Sequence, residues 1–563
     1  MSTQQSNTPT RPTPRRVPFP IYDEDEFSAS GSASSAPLVE LPSNHFLAQR
    51  PVTPPHDAQL VPPSATWIDS ARPDTSSLAA ADFDVSVETG FLPPEEPVQS
   101  VKGLGEGWTE MEECLDAAVR EAAGIPGGGV GKMSEGFRQA VRELPQVDLL
   151  PLTTLPLLRR AHTVVAHLTH FYMHSTFPSQ TVVPAALAVP LVYTSDKLGL
   201  PPILTYADTV LWVWKLTDKQ RGLRADNVEI TTTFTSSPSE RAFFLLSLFS
   251  ELHGPAILRL MSGTLDEAFF ADAVALSRIA SYLRSIAALI DELRLLMHNA
   301  VKGSFGPDGR ESITPATFYW EIRPWFNGGK WLYEGVGKDG EDVEMEWGGP
   351  SAGQSSLVHA IDLFLGVDHA PRSANGQAPP PAHGAGGYSS ASPAPSAPAP
   401  QGSPSRSPSM HKSPSDSTFM QRMSHYMPAH HRAFLQHLSS LQTASAPSVS
   451  LPSLRDLAQQ HPHELGTAYD TAVSSMKRFR DTHIVLATHF IVAQARRAPM
   501  ESSVHWKEWD ERRRAKEAEE AAKRARGEEE KKKDVVTGTG GTDLASFLKM
   551  CRDRTKEALL GHQ

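Results

Sequence analysis

Between residues 276 and 297 the apolar positions Leu276, Ile279, Leu283, Ile286, Ile290, Leu293 and Met297 recur at alternating steps of three and four. That spacing stacks all seven along one face of an α-helix and predicts an amphipathic helix with a buried stripe. Residues 240–262 are apolar nearly all round, the pattern of a centrally buried helix. Residues 155–174 continue the helical pattern, with Pro156 near the first turn, where its missing N–H costs nothing. Residues 468–495 repeat apolar side chains at Val473, Met476, Phe479, Leu486 and Phe490. Alternating strand patterns are scarce, so the chain reads as all-α.

Composition modifies this picture at three places. Hydrophobic residues make up only 39% of the chain and Pro is abundant at 47 residues, which implies compact regions diluted by others that cannot build a core. Residues 1–80, rich in Pro, Ser, Thr and Ala, read as a disordered tail, and 371–415 as a disordered Pro/Ser/Ala insert. Residues 505–536 are a mixed charge run, at most a solvated helix with no apolar stripe to dock it. The tail and the Ser-Pro-rich insert also suit an interaction scaffold, with Arg11-Pro12-Thr13-Pro14-Arg15 offered to a Pro-binding module.

Charge and cysteines narrow the class. A net charge of −11 disfavours binding to nucleic acid. No run of roughly 18–20 consecutive apolar residues suggests a membrane span, and the N-terminus has no apolar secretory core. Cys114 and Cys551 are the only cysteines and form no CxxC or CxxCH, which disfavours a disulfide framework, a zinc ribbon and covalently held haem. The expectation is a soluble, cytoplasmic protein.

Four features could carry chemistry, and each has a plainer reading. His483 falls on the Met476–Phe479–Leu486–Phe490 face and should point inward, either as an iron ligand or as a core histidine bonded to a carbonyl. His167, His170 and His174 share one helical face, yet no further ligand or supporting shell accompanies them, so they read as packing. Arg323, in the aromatic segment FYWEIRPWF, suits a carboxylate clamp or a stack on Trp320 or Trp325. The Gly-rich runs 348–356 and 537–543 each precede a helix, but neither has the Lys-Ser/Thr of a phosphate loop.

Taken in order, Leu198 to Asp208 (LGLPPILTYAD), Phe243 to Ser247 (FFLLS), Phe318 to Arg323, SAGQSS at 351–356, Tyr426 to Arg432 (YMPAHHR), His483 and GTGGTD at 538–543 resemble the indoleamine 2,3-dioxygenase family. The resemblance begins near residue 83 and omits the tail and the two inserts. It implies two helical domains, a small one at 81–235 capping a larger haem-binding one at 236–563. It implies one non-covalent haem b per chain, with His483 as the proximal iron ligand. Arg480 is then a haem-supporting arginine paired with Asp362, and Ser351 lies near a propionate. The substrate pocket it implies comprises Tyr206, Thr209, Phe243, Ser247, Phe318, Arg323 and Ala352, with Thr539 in a mobile glycine loop. Thr209 replaces a cysteine found in some animal members, and Ser247 stands where tryptophan 2,3-dioxygenases carry a histidine.

The partners so implied are L-tryptophan, O2 and an electron donor, acting on a monomer. The resemblance further implies cleavage of the indole C2–C3 bond to give N-formylkynurenine, a product that would feed NAD synthesis. The alternative within the same family is a haem-binding relative with weak tryptophan turnover and a regulatory role.

Overall fold

A computed structural model describes residues 74–369 apart from 75, 304 and 306–311, then 419–443, 453–499, most of 503–518, and 544–561. Helices dominate it, as expected. In chain order the longer ones are α1 (Glu106–Gly124), α2 (Glu135–Arg142), α3 (Leu155–Met173), α4 (Ala185–Leu198), α5 (Pro238–Glu251), α6 (Gly254–Phe270) and α7 (Ala273–Lys302). They are followed by α8 (Ser356–Phe364), α9 (Ala429–Thr443), α10 (Thr467–Ala487) and α11 (Leu544–Glu557). Two small sheets complete the architecture. Strands β1 (Val182–Val183), β4 (Gly329–Tyr333) and β5 (Val343–Trp347) form one, with β4 parallel to β1 and antiparallel to β5. Strands β2 (Trp214–Leu216) and β3 (Val228–Ile230) pair antiparallel in the other.

The stripe on α7 is buried as its spacing predicts: Ile279, Leu283, Ile286 and Ile290 have no solvent contact. Each such side chain contributes about 1.5–3 kcal/mol relative to an exposed one. Asp272 caps the helix by accepting from the Ala275 amide, and Gly303 ends it in the left-handed conformation at φ 72°. α10 packs along α7.

The 240–262 run is two helices and not one. α5 stops at Glu251, and α6 restarts with Gly254 and Pro255 in its first turn. Pro255 has no N–H to continue the first helix, and its ring would clash with the carbonyl four residues back. By length and composition alone, Pro238–Phe270 and Ala273–Lys302 are apolar enough to cross a membrane, but both supply core side chains here.

Two apolar clusters make up most of the core. The first gathers side chains from α1, α3 and α4 with Phe244, Leu248, Trp325 and Phe490; the second gathers α6, α7, α8 and α9 with Val473 and Met476. The first cluster draws on both sides of residue 235. Charges on α3 that enter the interior are paired, Arg159 with Asp84 and Arg160 with Glu112.

Order begins earlier than residue 81, since Leu78 is already fully buried in the second cluster. The start of the charged segment is also docked, contrary to expectation. Val504 packs against the first cluster, and the His505 ring lies 5.3 Å from Phe177 and 5.9 Å from Trp320. Aromatic rings here do what an aliphatic stripe would have done. The tail before residue 74, the 371–415 insert, residues 519–536 and the glycine run at 537–543 lie outside the described residues.

Candidate active site

α10 carries His483 across the seam between the two cores. Met476 and Phe479 pack into the second cluster, while Leu486 and Phe490 pack into the first. His483 keeps some solvent contact, yet protein surrounds it closely enough that burial lowers its pKa, with the Arg480 charge adding to the effect. Among the described residues it makes no hydrogen bond, ion pair or ring contact. A core histidine would have a carbonyl partner, and among the described residues this one has none. A neutral imidazole with an uncommitted lone pair fits the proximal position of a haem.

One turn before it, Arg480 is buried and ion-pairs with Asp362 of α8. The other end of its guanidinium donates to the Thr555 hydroxyl of α11. Asp362 also accepts from His369 Nε2 at 2.9 Å. The positive partners outweigh burial and hold its carboxyl down at about 2. The Arg480–Asp362 pairing was legible in the sequence through the family resemblance; His369 and Thr555 were not.

The distal residues begin on α5. Ser237 caps this helix by accepting from the Glu240 amide, and the Glu240 carboxylate reaches back to the amides of Phe234 and Thr235. This fixes the phase of the helix, so Phe243, Ser247 and Glu251 follow one another at steps of four on one face. Phe243 and Ser247 are half-buried. The Phe243 ring lies 4.9 Å from Phe318, which meets Phe490 edge-on at 5.8 Å. The distal aromatics therefore touch the continuation of the His483 helix.

Phe318 opens a π-turn, Phe318–Ile322, and Arg323 begins the 3-10 turn that follows. Arg323 stacks on Tyr319, its carbon Cζ 5.5 Å from the ring centre. Neither tryptophan offered by the sequence holds it: Trp325 stacks on Phe234, and Trp320 meets His505. The chain at Gly348–Gly349 passes so close behind this turn that a methyl group on Gly349 would overlap the carbonyl of Phe326. It then forms the Ser351 turn, in which the Ser351 hydroxyl accepts from the Gly353 amide and His359 donates to the Gly353 carbonyl. Ser351 is half-buried and Ala352 exposed.

Tyr206 and Thr209 lie in a short π-turn and are buried. The Tyr206 amide donates to the Gln354 side chain at 2.8 Å, and its phenol donates to Glu251 Oε1 at 2.9 Å. Ser355 donates to the same oxygen at 2.7 Å. Glu251 escaped the sequence reading, although its four-residue step from Ser247 was a visible signal. Thr539 lies outside the described residues.

The histidine stripe on α3 is packing, as the sequence suggested. His167 and His170 bond the carbonyls of Thr163 and Trp325, His174 bonds that of Asn327, and burial keeps all three pKa values low. No group of three or more metal-ligating side chains is present among the described residues.

Comparison with known proteins identifies the family. The indoleamine 2,3-dioxygenase family profile matches residues 79–558. Indoleamine 2,3-dioxygenase 1 of Rattus norvegicus is 28% identical over 490 residues, covering 85% of this chain and 95% of the relative. The Saccharomyces cerevisiae indoleamine 2,3-dioxygenase is 29% identical over 423 residues, covering 71% and 77%. The 6-hydroxytryptophan 2,3-dioxygenase of Fusarium equiseti is 24% identical over 489 residues, covering 85% and 97%. With a family match across nearly all the described fold, this chain belongs to the haem-dependent indoleamine 2,3-dioxygenase family.

Proposed function

We propose that the chain cleaves the C2–C3 bond of the indole of L-tryptophan with O2, giving N-formylkynurenine with both oxygen atoms in the product. The observation that carries this reading is His483, which lies at the seam of two cores with its pKa lowered by burial and has no hydrogen-bond partner among the described residues. The His483 imidazole would hold one non-covalently bound haem b per chain. When bound, the haem supplies the site and the electron redistribution for inserting dioxygen into the ring.

The protein's own side chains supply orientation and exclusion of water. Phe243 and Phe318 form the aromatic wall against which the indole lies. Arg323 grips the substrate carboxylate and so fixes the ring relative to the haem. Tyr206, Thr209 and Ala352 complete the pocket, and Ser351 would help to hold the haem. Ser247 is assigned no proton abstraction, because a hydroxyl is too weak an acid to ionise near neutrality.

An absorption spectrum of the purified chain, before and after tryptophan and reductant, tests the reading. A Soret band perturbed by tryptophan, with N-formylkynurenine carrying two labelled atoms from labelled O2, is the expected result. A Soret band that tryptophan leaves untouched rejects it. Arg323→Ala removes a charge-assisted bond contributing about 1.5–3 kcal/mol, so apparent tryptophan affinity falls roughly 10- to 150-fold. An unchanged Michaelis constant would remove Arg323 from the clamp.

The Fusarium relative, named for 6-hydroxytryptophan, favours a second reading in which the ring carries a hydroxyl. The ratio of kcat/KM for 6-hydroxytryptophan to that for tryptophan separates the two.

A further inference from the structure

Glu251 stands apart from the other buried acids. It is 1% exposed, at the last position of α5, where the chain turns from the first core toward the second. Oε1 accepts from both Tyr206 and Ser355, but Oε2 is sealed from solvent and has no partner. Asp84 and Asp362 also leave one oxygen bare, yet each faces an arginine that keeps it charged. Asp208 has donors on both oxygens, from His162 and Thr163 on one and Thr205 on the other. Among the described residues Glu251 faces no cation. A buried carboxylate oxygen with neither cation nor donor is costly, and a proton on it removes the charge.

Its two donors come from elements placed at the substrate pocket. Tyr206 belongs to the π-turn that also carries Thr209, and Ser355 ends the turn formed by Ser351 and Ala352. Phe243 and Ser247 precede Glu251 on the same helical face. One carboxyl therefore ties three parts of the wall together.

We propose that Glu251 is a positioning residue for the indole pocket, holding a proton on Oε2 while Oε1 fixes Tyr206 and Ser355 in place. This role rests on the dioxygenase reading above. Burial raises the acid to about 7, and the two hydroxyls only partly oppose that rise. The titratable groups on neighbouring elements are engaged elsewhere. Asp208 pairs with His162, His253 lies 3.4 Å from Glu292 of α7, and His359 bonds the Gly353 carbonyl. None of these charges contributes to the position of Glu251. In the acid form the pocket wall is neutral and suits an uncharged indole. Ionisation leaves a bare charge behind Tyr206 and draws both hydroxyls toward Oε1, shifting the wall.

The test is the pH profile of kcat/KM for tryptophan, which reports ionisations of the free enzyme and substrate. The wild-type value falls at least about threefold as pH rises through an inflection near 7. Glu251→Gln abolishes that inflection. Tyr206→Phe and Ser355→Ala each remove a donor that favours the ionised form, so each moves the inflection to higher pH. These two variants decide the matter should Glu251→Gln fail to fold.

Infrared spectra of the full chain without substrate give an activity-independent readout. A protonated-carboxyl band titrates over the same pH range in wild type and is missing from Glu251→Gln. A flat wild-type profile, an inflection that survives in Glu251→Gln, a rise in place of a fall, or downward shifts in the donor variants would each overturn the proposal. So would turnover without the infrared band. If the band titrates but no indole amino acid is converted, the dioxygenase reading fails and the proton on Glu251 stands.

Discussion

His483→Ala purifies colourless from cells supplied with a porphyrin precursor, while its far-ultraviolet circular dichroism matches wild type. The imidazole has no hydrogen bond to lose among the described residues, so the fold does not depend on it. Haem affinity falls by more than about a hundredfold, since even the outer partners of a metal ligand are worth about 10–100-fold. Free imidazole added to the variant restores part of the Soret band by occupying the vacated space. A variant that retains a full Soret band would show that another residue holds the iron.

The second large effect concerns the pair beneath it. Asp362→Ala leaves the Arg480 guanidinium buried with the Thr555 hydroxyl as its remaining partner. Uncovering one half of a buried ion pair costs about 3–5 kcal/mol, read as a lower denaturant midpoint. Changing both residues to apolar side chains of similar volume recovers most of that loss.

The pH dependence has a definite sign. The carboxyl is held at about 2, below its unfolded value. Its contribution is present in full above the unfolded pKa of about 3.9 and is lost as pH falls through the folded one. Wild-type stability therefore drops by about 2 kcal/mol between roughly pH 4 and 2 on this account, and Asp362→Asn loses that part of the slope. Equal acid sensitivity in the two proteins would mean that Asp362 is not the group being protonated.

Several expectations from the sequence hold because they depend on local rules. The α7 stripe needs only helical periodicity, and α3 tolerates Pro156 because an N-terminal turn has no use for that N–H. The α5–α6 break was also written in the chain, at Gly254-Pro255, but hydrophobicity on both sides masked it. Docking of His505 on Phe177 and Trp320 was not visible locally, since the partners are distant in sequence. Arg323 presents the same difficulty, with three aromatic residues in reach and only packing to choose Tyr319.

Periodicity by itself determined a helical protein and the helix face that carries His483, while family likeness added the haem and the Arg480–Asp362 pairing. Only the tertiary structure decided that His483 lies at the junction of two cores with no partner among the described residues, and that Glu251 joins Tyr206 to Ser355. The reason is physical. A helix face follows from spacing along the chain, but the donors to the buried Glu251 carboxyl lie 45 and 104 residues away in sequence, and packing alone brings them together.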